Sequence, residues 1–358
     1  MNLGNIVVIS AVFILFNLYI AYYNIAMINS PFSSGPSEIF DPHWHLIMNA
    51  LSGLVAGVLA GFIGTVVNRK LFRRKSFMFG MLITVVAYVF FFVLVTVIVT
   101  SVNVSKDLGE RAVSTEGVKY GLNLVINPMT VTYFIMWGAI VLFTLFLLQV
   151  NDKFGPGILL KFVMGKYHKP RKEKRIFMFL DMRSSTLIAE KIGNKKYFNL
   201  LRDLFTDITG AILNNEGEIY QYVGDEIVVS WPMKKGIRNA NFVHCFFEIH
   251  RELANLGPTY KRKYGLIPEL KAGIHYGEVM AGEVGVIKKD IIYSGDVLNT
   301  TARIQEQCNK YGVDILISKE TFDLIPDSGS YELVSLGSIE LRGKERKIDL
   351  NTITILTT

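Results

Sequence analysis

Two aspartates carry the first chemical signal. Asp181 ends a continuous apolar run, Ile176 to Leu180, that reads as a buried strand. Asp225 lies in Gly224-Asp225, a hairpin-turn signal between two short predicted strands, Glu218 to Tyr222 and Ile227 to Trp231. With that hairpin paired beside the first strand, two carboxylates stand at adjacent strand ends. Ser184, Ser185 and Thr186 follow the first strand, where they can cap a helix and aim backbone N–H groups at an anion. Such a set suits Mg²⁺ or Mn²⁺ on a triphosphate, because Mg²⁺ commonly keeps only one or two protein carboxylates and completes its shell with phosphate oxygens. Each aspartate alone has an ordinary use, as a cap or a turn residue. Together at this spacing they read as a metal site. Further on, Asn299 and Arg303 are four apart and share one face of a predicted helix, Val297 to Tyr311.

The elements that must position these residues follow an α+β order. After the first strand comes a long amphipathic stretch to Asn214, then the hairpin, then a helix over Asn239 to Lys263. Strands at Leu270 to His275 and Val279 to Glu283 precede the Asn/Arg helix. Strand, helix, two strands, helix, strand is the ferredoxin-like arrangement, a fold that hosts many functions and decides none.

Ahead of this lies a different kind of sequence. Of the 69 Lys, Arg, Asp and Glu residues, 8 basic and 5 acidic fall in positions 1–150, so charge is concentrated in the remainder. Four stretches there are long and apolar enough to cross a bilayer, which takes about 20 residues each: 3–28, 46–67, 77–104 and 131–150. The first lacks a basic leader region and reads as a retained helix rather than a signal peptide. Arg69, Lys70, Arg73, Arg74 and Lys75 follow the second span, and the loop after the first has no Lys or Arg. The positive-inside rule then puts both termini in the cytoplasm of a four-span protein of the cell membrane. No ionisable side chain lies inside a span, which argues against a transporter or channel. Gly53, Gly57 and Gly61 form a small-residue stripe that fits either a seam between chains or packing inside one bundle. The loop 105–130 fits a signal receiver or a plain connector. Gly155-Pro156-Gly157 breaks the last helix, and residues 151–174 read as a short coupling helix on the lipid surface and a solvated basic linker, Lys169-Pro170-Arg171-Lys172. The expected organisation is a four-helix membrane domain over 1–150, this linker, and an α+β domain over 175–358. The net charge of +7 is split between both halves and marks no nucleic-acid surface. Two cysteines, Cys245 and Cys308, exclude a disulfide scaffold.

Four ordered motifs carry a resemblance. Phe179 to Thr186 resembles the first metal motif of the class III nucleotidyl cyclases, and Tyr222 to Glu226 the second. Ala272 to Val279 is similar to the family's next strand-turn motif. Gly295 to Arg303 resembles its Gly-Asp-x-Val-Asn-x-x-Ala-Arg helix. The resemblance implies cyclisation of a nucleoside triphosphate to its 3′,5′-cyclic monophosphate with release of pyrophosphate. It implies two divalent cations, Mg²⁺ or Mn²⁺, held by Asp181, Asp225 and the Met182 backbone carbonyl. It further implies that Ser184, Ser185, Thr186 and Gly224 bind substrate, that Asn299 orients the ribose, that Arg303 stabilises charge at the α-phosphate, and that Lys344 contacts the terminal phosphates. In that family the aspartates and the Asn/Arg pair of one site come from different chains, which implies a head-to-tail homodimer.

The base-reading positions depart from the family pattern. Gln221 stands where adenylyl cyclases commonly carry Lys, and Ile292 where they carry Asp, Thr or Ser. Gln221 can donate and accept hydrogen bonds, Ile292 supplies only shape, and Asp290, Tyr293 or Ser294 are substitutes if the register shifts. ATP is the favoured substrate, with GTP or a pyrimidine triphosphate as the alternative. A further alternative is an inactive membrane-anchored nucleotide-sensing or dimerisation module. Val223 to Ile227 resembles a diguanylate cyclase hairpin only superficially, because the second glycine and the phenylalanine are missing.

Overall fold

The computed structural model describes residues 3–28, 42–62, 77–107, 115–154, 164–287, 289–325, 331–340 and 347–355. The chain divides into two compact units, 1–153 and 154–358.

In the first unit the apolar stretches form helices α1 (Leu3–Ile28), α2 (Pro42–Phe62), α3 (Phe77–Asp107), α4 (Thr115–Val125) and α5 (Pro128–Phe154). Among the described residues, Val85–Val102 within α3 is long and apolar enough to cross a bilayer, and α4 with the Thr130–Thr144 part of α5 forms a pair bent by 63° that passes the same test together. Two glycines of the stripe, Gly53 and Gly57, face their own chain. A Cβ at Gly57 would lie 2.5 Å from Ser10 Cα, and one at Gly53 would lie 3.0 Å from Ile14 Cα, so both glycines let α2 close on α1. The 105–130 segment is not a plain loop: α4 packs on α3, with Gly117 and Gly121 against Ser101 and Val97. The basic loop after the second span, the Gly155-Pro156-Gly157 break and the coupling helix lie outside the described residues.

The second unit is built on one sheet: β1 (Arg171–Met182), β2 (Glu218–Val223), β3 (Glu226–Pro232), β4 (Leu270–Val284), β5 (Asp290–Ser294), β6 (Ile315–Ser318), β7 (Tyr331–Ile339) and β8 (Ile348–Ile355). The strand order is β2-β3-β1-β4-β6-β8-β7, with β5 also paired to β4. Its helices are α6 (Ser185–Ile192), α7 (Asn194–Asn214), α8 (Met233–Ile237), α9 (Asn241–Tyr264), α10 (Asp296–Tyr311) and α11 (Lys319–Phe322).

Three expectations are revised here. Arg171 and Lys172 are not solvated linker but the start of β1, paired with Ala281 and Met280. The two strands expected over 270–283 are one strand, because β1 pairs along twelve residues of it and leaves no room for a turn. The long helix expected to reach Asn214 is broken at Gly193, whose φ of 80° suits glycine.

Alternation along β1 sorts the core into two layers. Ile176, Met178, Leu180 and Met182 are buried with Leu200, Leu204 and Ile208 of α7 and Phe242, Phe246 and Ile249 of α9. Phe177 and Phe179 face the other way, against Val228, Val279 and Val297 at the start of α10. By the same alternation Asp181 lies on the α10 side.

Candidate active site

Asp181 is the penultimate residue of β1. Its neighbour Leu180 pairs with Ile227, so the turn between β2 and β3 reaches over the end of β1. Gly224 makes that turn with φ 63°, and Asp225 follows it. The Asp225 carboxylate lies close enough to act on Asp181. Burial first, then Asp225, raises the pKa of Asp181, opposed by Lys271. Glu226 crowds the same corner. Burial, then the charges of Asp181, Asp225 and Glu306, push its carboxyl up to about 7.

Two side chains that the sequence reading missed hold Asp181. Lys271 is its register partner across β1 and β4, and the Lys271 Nζ lies 3.2 Å from Asp181 Oδ2. Gln305 of α10 is 4% exposed and donates from Nε2 to the same oxygen at 3.0 Å. Gly273 makes that reach possible. A Cβ there would stand 2.4 Å from the Gln305 backbone N, so only a glycine lets α10 lie this close to β4. Lys271 had a visible signal as the one charge in the apolar run Leu270 to Ile274. Gln305 had none, since its partner is 124 residues away.

The loop from Asp181 into α6 differs from the expected cap. Ser184 occupies the N-cap position in a left-handed conformation, φ 54°, with no side-chain cap bond, so the serine hydroxyl does not close the helix. The first N–H groups of α6 thus have no side-chain cap and can face an anion. Arg183 braces the loop from outside, with Nη2 2.7 Å and Nε 3.0 Å from Asp314 Oδ1 and a further bond to the Val313 carbonyl. Tyr197 is a further residue near the aspartates; burial, then Asp225, raises its phenol pKa. Met182 is buried beneath, with its side chain in the α7/α9 layer.

Asn299 and Arg303 are on α10 as expected, Asn299 exposed and Arg303 half-buried. The structure does not bring them to Asp181. Arg303 and Gln305 are two residues apart, about 200° around the helix, and the Gln305 side is the one turned to Asp181. Gln221 is exposed on β2 and Ile292 is 39% exposed on β5. Their strands meet through their neighbours, where Tyr293 N–H donates to Tyr220 Oη at 3.2 Å. The Tyr293 ring lies 4.6 Å from the Arg175 guanidinium and packs against Phe177 and Tyr220. Asp290 and Ser294 are exposed at the two ends of β5. Lys344 lies outside the described residues.

Among the described residues no group of three or more His, Cys, Asp or Glu side chains is arranged to hold a metal ion alone. The donor set nevertheless fits a cation that arrives with its own oxygen ligands, because converging carboxylates are balanced by a single lysine beside an uncapped helix start.

Residues 167–355 match the family model described as the adenylate and guanylate cyclase catalytic domain. The chain is 32% identical over 210 residues to adenylate cyclase 2 of Rhizobium meliloti, covering 59% of this chain and 58% of that protein. It is 24% identical over 168 residues to the receptor-type guanylate cyclase gcy-28 of Caenorhabditis elegans, covering 46% of this chain and 13% of the relative. The chain thus spans less than two thirds of either relative. A solved structure of a bacterial light-regulated adenylyl cyclase shares the fold, with a TM-score of 0.51 at 19% identity over 64% of this chain and 65% of that one.

Proposed function

Since this chain belongs to the adenylate and guanylate cyclase catalytic-domain family, we propose that it is a membrane-anchored cyclase forming 3′,5′-cyclic AMP and pyrophosphate from ATP. The observation that carries the reading is the meeting of Asp181 and Asp225 beside the uncapped start of α6. Asp181, Asp225 and the Met182 carbonyl would hold two divalent cations, Mg²⁺ or Mn²⁺. When bound, these supply activation of the 3′-hydroxyl and neutralisation of the phosphates. Backbone N–H groups at Ser184 to Thr186 and the open backbone at Gly224 seat the triphosphate, and Lys344 reaches its terminal phosphates. The 3′-oxygen forms its bond to the α-phosphorus as the bond to pyrophosphate breaks, and the hydroxyl proton leaves to solvent. Arg303 stabilises the charge on the α-phosphate and Asn299 holds the ribose.

Those last two act from a second copy of the chain. The angular separation of Arg303 from Gln305 supports this, because one helix cannot present both sides to one triphosphate. An apolar tip on the β4–β5 hairpin, with Val284, Val286 and Ile287 exposed, gives a second copy a surface to cover. ATP is favoured by the named activity of the 32% identical relative and by the amide of Gln221, which can pair with the adenine edge. Ile292 adds shape.

The apolar unit is read as four spans in lipid with both termini cytoplasmic. A cysteine introduced at Ser37 should react with an impermeant thiol reagent from outside the cell, and one at Ser76 only after permeabilisation. The activity is tested by incubating the purified full-length protein with Mn²⁺ and each ribonucleoside triphosphate, and identifying products by mass spectrometry. Cyclic AMP is expected, and a different cyclic nucleotide would correct the base. No conversion of any triphosphate, with Asp181→Ala and Asp225→Ala changing nothing, would overturn the enzyme and leave a nucleotide-sensing or dimerisation module.

A further inference from the structure

Helix α10 has two working faces, and only one is explained by the proposed reaction. Gln305 is buried, and a buried amide must find a partner. Its side chain donates to Asp181 Oδ2, the oxygen that Lys271 also takes. With both donors on Oδ2, Asp181 is held in one rotamer and Oδ1 is the oxygen neither donor takes. Gly273 fixes the distance, because the Gln305 backbone rests where a side chain on residue 273 would be.

We infer that Gln305 is a positioning residue that orients Asp181 within its own chain, while Asn299 and Arg303 on the same helix are delivered to the partner. One helix therefore serves two sites, one in cis and one in trans. The inference rests on the head-to-tail reading proposed above, and its test separates the two.

Two full-length chains with different tags are co-expressed, and the mixed dimer is isolated on both tags in turn. A chain carrying Asp181→Ala paired with one carrying Arg303→Ala retains a single intact site. Gln305→Leu is then added to one chain or the other. Placed beside Asp181→Ala, it sits with an aspartate already lost, and the mixed dimer keeps its rate. Placed beside Arg303→Ala, it disturbs the surviving aspartate, and the rate at limiting Mn²⁺ falls about tenfold, as expected for losing one hydrogen bond to a charged group. Equal loss in both placements, or loss only in the first, overturns the assignment.

An inactive parent mixture would count against the head-to-tail dimer instead. The assignment is then decided by the Gln305→Leu and Gln305→Glu homodimers. Each should need about tenfold more Mn²⁺ for half-maximal activity, with the KM for triphosphate at saturating Mn²⁺ changed less than twofold. Either variant melting like the parent but with an unchanged Mn²⁺ requirement would refute it.

Discussion

Replacing Arg175 by Met should be among the most costly single changes in the second unit. Arg175 is 1% exposed and touches Glu173 Oε2 at 3.0 Å, Glu218 Oε2 at 2.5 Å and Ser230 Oγ at 3.0 Å, beneath the Tyr293 ring. Removing one member of a buried ion pair leaves the other charged without compensation, a loss of about 3–5 kcal/mol. Lys166 still lies 3.3 Å from Glu173, and both glutamates keep some contact with solvent, so the lower end, about 3 kcal/mol, is expected. Adding Glu173→Gln and Glu218→Gln removes the two carboxylates that faced Arg175 and should recover about half of that loss. The assay is urea unfolding of the full chain in detergent, read at buried Trp231 after Trp44 and Trp137 are replaced by Phe. The pH dependence carries a sign. Burial alone would raise the pKa of Glu173, but the hydrogen bond and charge of Arg175, then Lys166, outweigh it and hold it below its ordinary 4.5. A lowered pKa contributes stability that is present above about 4.5 and lost as pH falls through the folded value. In Arg175→Met burial should prevail, so the Glu173 contribution reverses and stability declines as pH rises; the difference between this variant and its Glu173→Gln double isolates the effect. A loss under about 1 kcal/mol, or a triple variant no more stable than the single one, would refute the reasoning.

Three further outcomes are expected. Lys271→Met removes the cation paired with Asp181, so the metal-free protein should lose about 1–3 kcal/mol and gain more from added Mn²⁺ than the parent does; equal Mn²⁺-induced shifts in melting temperature would count against it. Arg183→Met releases the brace on the loop at Ser184 and should cost about 1 kcal/mol, with the KM for triphosphate rising several-fold in steady-state assays. Gly210→Ala in α7 should stabilise by about 0.5–1 kcal/mol in the same urea assay, because a Cβ there meets nothing within 4 Å.

The placement of Asp181 and Asp225 was legible because they border the continuous apolar runs of β1 and β3, which leave a local mark. Helix α10 was placed almost to the residue by its 3.6-residue periodicity. The first turns of β1 were not, because Arg171 to Lys174 are polar and owe their extended form to β4, more than a hundred residues ahead. For the same reason β4 looked like two strands: Gly277 and Glu278 read as a turn, yet Gly277 is a place where Val297 of α10 comes close. The support for Asp181 was hidden in the same way. Lys271 and Gln305 acquire their meaning only when β4 and α10 are stacked.

Gly273 gives the protein an unusual genetics. In a head-to-tail dimer, a lesion confined to Asp181 spares the helix its chain donates, so when mutant and normal chains mix equally about one half of all sites still work. Gly273→Ala displaces α10 itself, which carries both the cis support and the trans residues. A site then survives only where both chains are normal, about one quarter of the total. A single added methyl group would be more strongly dominant-negative than loss of Asp181.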